Sequence, residues 1–183
     1  MPAKVTAGVI GAGPAALRTR VQEAIATAIA GDASTVRQDA AAMRTRMLKD
    51  LPPDGPWDVK ARPGGQIEVE FIAQVLQLLH AVAMPEVLHP TTREALHGLA
   101  EAGVLAPEDA AMLIRADHTW RTVQGTLRIT VGRDAGEILP EASAQPLLRA
   151  MGATDLPGLR VSLDGLAEEV RAAFVRYVGA VGK

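Results

Sequence analysis

The stretch from Gln66 to His80, placed directly behind Arg62-Pro63-Gly64-Gly65, constrains the fold more than any other part of the chain. Pro63 pushes Arg62 out of the helical region, and the two glycines allow a sharp turn, including positive φ. From Gln66 the pattern becomes helical. At 100° per residue Gln66, Glu70, Gln74, Gln77 and His80 form one polar stripe. Ile67, Val69, Phe71, Ile72, Val75, Leu76, Leu78, Leu79 and Val82 fill the rest of the circumference. A helix apolar over most of its surface belongs in a core. Each large side chain buried there contributes ~1.5–3 kcal/mol, so this helix is expected to be the most buried element. The short piece before it, Trp57-Asp58-Val59-Lys60, alternates like a strand.

Glu68 falls inside the apolar arc, beside Val75 and Leu79. Two placements are open. It can project past the helix end and benefit from the positive end of the dipole, or be held against Lys60 or Arg62 across the glycine turn. Glu68 and Glu70 do not form a metal pair, because positions i and i+2 of a helix do not share a face.

The chain has 183 residues, enough for one domain with a real core. Hydrophobic residues make up 48% but aromatics only 3%, so that core is aliphatic. A net charge of −2 argues against an overall drive toward nucleic acid or an anionic membrane, and most of the nineteen basic residues are arginines suited to local anion contacts. The lack of cysteine excludes disulfides and zinc–thiolate sites and fits a cytoplasmic setting. No apolar run reaches the ~20 residues that span a bilayer. Met1 to Ile10 lacks the features of a signal peptide and reads as a segment cut from something larger.

The remaining chain reads as successive helices. Gly11 to Ala16 matches G-x-G-x-x-A, but the second strand a dinucleotide fold requires is missing, so that reading is set aside. A helix follows, with Leu17, Val21, Ile25 and Ala28 on one face. The next is predicted to start at Thr35, with Gln38 completing a capping box. Val36, Ala40, Met43, Met47 and Leu51 form its apolar stripe, and Arg37, Arg44, Arg46 and Lys49 its solvated side. Thr91 and Glu94 cap a short helix that Gly103 ends, and Pro107 opens a long one reaching about Ile129. Leu113, Ala116, Trp120, Val123 and Leu127 are its inward stripe, with Asp117, Arg121, Gln124 and Arg128 a polar ladder beside it. Ser143 is predicted to cap a small helix ending at Met151. A last helix is expected from Ser162 to Gly179, with Leu166, Val170, Phe174 and Val178 inward. His80, His89, His97 and His118 lack metal-ligand spacing. The fold expected is an all-α bundle of six or seven helices, with at most a vestigial strand at Asp58–Lys60.

The stretch Asp58-Val-Lys-Ala-Arg-Pro-Gly-Gly-Gln-Ile-Glu-Val-Glu-Phe71 resembles the signature of the bifunctional glutamine synthetase adenylyltransferase and adenylyl-removing enzymes, in its R-P-G-G form the adenylylating half. Ala41-Ala-Met-Arg-Thr-Arg-Met47, Glu94 to Gly103 and Trp120 to Arg128 extend the similarity, which runs from about Lys4 to the last helix. Gln66 departs from the aliphatic residue usual in the family, and the region of Gly11 to Pro14 is expanded.

The resemblance implies a nucleotidyltransferase acting with ATP and magnesium on glutamine synthetase. The family's G-S turn and D-x-D carboxylates are missing from this chain, so the resemblance makes it the helical domain that follows the catalytic one, inactive by itself. On that reading Lys60, Arg62, Gly64 and Gly65 contribute to a nucleotide cleft completed elsewhere. The turn's backbone N–H groups are expected to face the phosphates. The partners implied are the nucleotidyltransferase domain and glutamine synthetase. The alternative is an interaction module that docks glutamine synthetase or a PII-type signalling protein through its arginine-bearing faces.

Overall fold

The computed structural model describes residues 33–132, 136 and 138–181. Among them it shows six α-helices, one short 3-10 turn and no strand: α1 (Ala33–Asp50), α2 (Gln66–His80), α3 (Thr92–Glu101), α4 (Pro107–Thr130), α5 (Glu141–Met151) and α6 (Leu156–Tyr177). The all-α bundle expected from the sequence is the observed architecture. The expected first helix and the Gly11–Ala16 motif lie outside the described residues.

α2 is the hub. It packs against α1, α3, α4 and α6, and Val69, Ile72, Ala73, Val75 and Leu76 are buried along it. Two of its polar stripe residues are also buried, Gln66 and Gln77. Gln77 is matched to its surroundings: its Nε2 donates to the Ala73 carbonyl, and its Oε1 accepts from the His89 N–H at 2.8 Å. The loop after α2 is fixed to the helix in this way. Val82, expected inward, lies beyond the helix end and is 62% exposed.

Local signals place α3 and α4 correctly. Thr91 Oγ1 accepts from the Glu94 N–H, and Gly103 takes φ +71° where α3 ends. Pro107 opens α4, whose stripe Leu113, Ala116, Trp120, Val123 and Leu127 is wholly buried. Other boundaries differ from expectation. α1 starts at Ala33, so Thr35 lies inside the helix rather than capping it. Ser143 also sits inside its helix; it is buried, and its hydroxyl donates to the Thr130 carbonyl at 3.4 Å. α6 begins at Leu156, six residues before Ser162, because Asp155 caps it: Asp155 Oδ1 accepts from the Gly158 N–H at 2.7 Å.

Trp57 to Lys60 forms turns, not a strand. Asp58 Oδ1 accepts from the N–H groups of both Lys60 and Ala61, an Asx-type turn that uses donors a strand ladder would need. The alternation was nonetheless a real signal of burial. Trp57 and Val59 enter the core, while Lys60 faces solvent.

Candidate functional site

The turn from Asp58 to Gln66 is rigid because its backbone donors are all engaged. The N–H groups of Lys60 and Ala61 go to Asp58 Oδ1, and that of Arg62 to the Asp58 carbonyl. Gly64 donates to Glu68 Oε2 at 3.0 Å, Gly65 to the Arg62 carbonyl, Gln66 to the Val59 carbonyl and Ile67 to the Lys60 carbonyl. The expectation that these N–H groups face a phosphate is therefore corrected. The turn closes on itself, and the first turn of α2 offers no free donor there.

Beneath the turn lies a buried charge cluster. Glu68 is fully buried. Its Oε1 accepts from Arg44 Nε at 2.9 Å and Arg171 Nη1 at 2.7 Å, while Oε2 takes the Gly64 N–H. Neither placement expected for Glu68 is observed: it does not project past the helix end, and its partners are not Lys60 or Arg62. The same correction applies to Arg44, which is buried rather than solvated. Its Nη2 donates to the carbonyls of Ala61 at 2.7 Å and Arg62 at 3.0 Å. A planar guanidinium meets the carboxylate through Nε and the carbonyls through Nη2 in one rigid fork, whereas a lysine must reach all three acceptors from a single nitrogen. The signal for its burial was present: Arg44 shares a helical face with Ala40 and Met47 at i−4 and i+3, on the side that packs against α2.

The turn also runs in register along α6. Arg62 Nη2 meets Asp164 Oδ1 at 2.5 Å, Gly64 abuts the Ala167 backbone, and Glu68 meets Arg171. Asp164, Ala167 and Arg171 follow at i, i+3 and i+7, one face of the helix. Arg171 also stacks its guanidinium 5.8 Å from the Phe174 ring centroid, and Phe174 packs on Phe71 of α2.

The four residues singled out from sequence fall into two groups. Gly64 and Gly65 are buried and shape the turn. Gly64 has φ +71°, and a Cβ there would overlap the Ala167 carbonyl. Gly65 has φ −81°, and its Cβ would stand 2.5 Å from the Val59 carbonyl oxygen and 2.9 Å from that of Lys60. Lys60 and Arg62 carry the accessible charge. Arg62 is paired with Asp164. Lys60 is exposed, and its ammonium has no hydrogen-bond or ion-pair partner among the described residues. Among those residues no group of three or more His, Asp or Glu side chains is placed to hold a metal ion, and no helix is long and apolar enough to cross a membrane.

A helical bundle built around this Asp58–Gln66 turn and hub helix matches the sequence model of the GlnD PII-uridylyltransferase family over residues 32–176, and the chain belongs to that family. Within it, the curated relatives are more particular. The chain is 35% identical over 179 residues to a bifunctional glutamine synthetase adenylyltransferase/adenylyl-removing enzyme of Rhodopseudomonas palustris (strain BisB5), covering 94% of this chain and 18% of that protein. It is 38% identical over 144 residues to the enzyme of the same name from Caulobacter vibrioides (strain ATCC 19089 / CIP 103742 / CB 15), covering 76% of this chain and 14% of that one. The resemblance drawn from the motif is thus shown by whole-sequence comparison, and the chain spans less than one-fifth of the length of these relatives.

Proposed function

We propose that this chain is a single helical domain of a cytoplasmic glutamine synthetase adenylyltransferase. In this reading it packs against a nucleotidyltransferase domain and lends the Lys60–Gly65 turn to an ATP cleft used to move AMP onto glutamine synthetase. The observation that carries the reading is the Lys60 ammonium, unpartnered among the described residues, on a turn whose backbone is locked by its own hydrogen bonds. A cation unpaired among the described residues, carried on a hydrogen-bonded backbone, suits a phosphate chain because no competing carboxylate has to be displaced. Arg62 adds charge beside it, weakened by Asp164. Gly64 and Gly65 serve the cleft by allowing the turn. The described residues do not build a magnesium site, so no step through that metal is assigned to them.

Alone, the chain is expected to bind ATP at millimolar strength or weaker. Exposed ion pairs contribute only ~0–1 kcal/mol each, and a Kd of 1 mM already requires about −4 kcal/mol. Nucleotidyl transfer depends on positioning and charge neutralisation, which one exposed lysine does not supply. The test is a titration of the ¹⁵N-labelled chain with ATP and magnesium. Shifts concentrated at Lys60 to Gly65, lost in Lys60→Ala, support the reading. Shifts elsewhere only, or AMP transferred to glutamine synthetase by the chain alone, overturn it.

The competing reading is a module that docks glutamine synthetase or a PII-type protein. It is favoured by the exposed cations Arg37, Arg46 and Lys49 on α1 and by the PII-uridylyltransferase name of the family. In that case partner protein perturbs α1, and ATP leaves the turn unchanged.

A further inference from the structure

We infer that Arg44 is a positioning residue for Lys60, holding the turn so that the lysine ammonium stands where a nucleotide's phosphates can meet it, with Arg171 acting alongside through the shared Glu68 carboxylate. The inference rests on the nucleotide reading above and goes beyond it by assigning a role to side chains that a phosphate does not touch.

Three observations carry it. Arg44 grips the chain immediately after Lys60: its Nη2 holds the carbonyls of residues 61 and 62, while Asp58 holds the N–H groups of 60 and 61 from the other side. The backbone at Lys60 is thereby held by two charged side chains, while its own ammonium has no partner among the described residues. Second, Arg44 is fully buried on an otherwise small-to-medium apolar face. An apolar residue there would avoid the desolvation cost of a guanidinium, so the arginine serves a geometry that packing alone would not impose. Third, one Glu68 carboxylate faces two guanidinium groups, Arg44 and Arg171. The cluster carries a net positive charge directly under the turn. Asp58 and Asp164 offset the charges of Lys60 and Arg62 at the turn, so the excess positive charge of the cluster is what remains to attract an anion.

The experiment uses the full ¹⁵N-labelled chain with two probes, ATP and inorganic triphosphate, and compares wild type with Lys60→Ala, Arg44→Lys, Arg44→Met and Arg171→Gln. Circular dichroism checks the fold of each, and hydrogen exchange at the Gly64 amide, which donates to Glu68, reports the cluster directly. Arg44→Lys keeps a charge for Glu68 and loses the hold on the two carbonyls. Its response at Lys60 to both probes is expected to fall about tenfold, the scale of one charge-assisted hydrogen bond, while the helical signal is retained. Arg171→Gln is expected to fall less, with Gly64 exchanging faster. If Arg44→Met fails to fold, Arg44→Lys and Arg171→Gln still decide the matter. Folded Arg44 variants that keep the wild-type response, while Lys60→Ala loses it, overturn the positioning role alone. A response that Lys60→Ala leaves intact removes the nucleotide role from Lys60 and overturns both readings.

Discussion

Gly64 and Ala167 meet backbone to backbone, at a point where the turn before α2 crosses α6 with no room for a side chain. The contact lies between two ionic ones, Arg62 with Asp164 and Glu68 with Arg171. It sets the distance at which both can form, so one hydrogen atom in place of a methyl group determines how closely the turn lies on the last helix.

Replacing Gly64 by Ala should therefore cost about 2–6 kcal/mol. Positive φ at a non-glycine residue accounts for ~1–3 kcal/mol, and overpacking against the Ala167 backbone for ~1–3 kcal/mol. Gly125, in the interior of α4 with open space around its Cβ position, provides the contrast: Gly125→Ala should stabilise by ~0.5–1 kcal/mol. Urea unfolding of the two variants checks both signs. Equal midpoints for Gly64→Ala and wild type would show that α6 can shift away freely.

Glu68→Gln keeps the shape of the side chain and removes its charge. Arg44 would then be buried without a counter-ion, a situation that typically costs ~3–5 kcal/mol. Adding Arg44→Met to Glu68→Gln should recover part of that loss, because the uncompensated charge goes with the arginine. A double mutant whose destabilisation equals the sum of the single ones would mean the two residues are not coupled.

Asp155→Ala should lower stability by ~0.5–2 kcal/mol, the usual cost of losing an N-cap. The effect should be local, with faster amide exchange at Gly158 and Leu159, whose N–H groups begin α6. Uniform loss of protection along the helix would argue that Asp155 does more than cap it.

Tyr177 makes stability dependent on alkaline pH. Burial raises its pKa, as does the hydrogen bond its hydroxyl donates to Asp109 Oδ2 at 2.6 Å. The folded state therefore keeps the phenolic proton to a higher pH than the unfolded chain, where the pKa is about 10. The stabilisation is fully present below that value and is lost as pH rises through the folded pKa. As the one tyrosine of the chain, it can be followed by tyrosinate absorbance, which should titrate higher in the folded protein than in urea. Tyr177→Phe should lose less stability than wild type between about pH 9 and about pH 11; identical profiles would count against the assignment.

Much of this protein is determined by short-range sequence. The hub helix, the buried stripe of α4, the Thr91 cap and the positive φ at Gly64 follow from a 3.6-residue period, a capping side chain and a Pro-Gly-Gly turn, all of which act within a few residues. The start of α6 was instead expected at Ser162; the cap and first-turn proline that fix it, Asp155 and Pro157, were passed over. Only the tertiary structure decided what happens to Arg44, Glu68 and Arg171. Glu68 lies 24 residues from one partner and 103 from the other, and although helical period sets Arg44 beside Ala40 and Met47, nothing local says which carboxylate it meets there. Periodicity assigns a side chain to a face. Which charges meet across that face depends on how α1 and α6 pack on α2, because a buried charge is tolerated only where the packed fold brings an opposite charge to it.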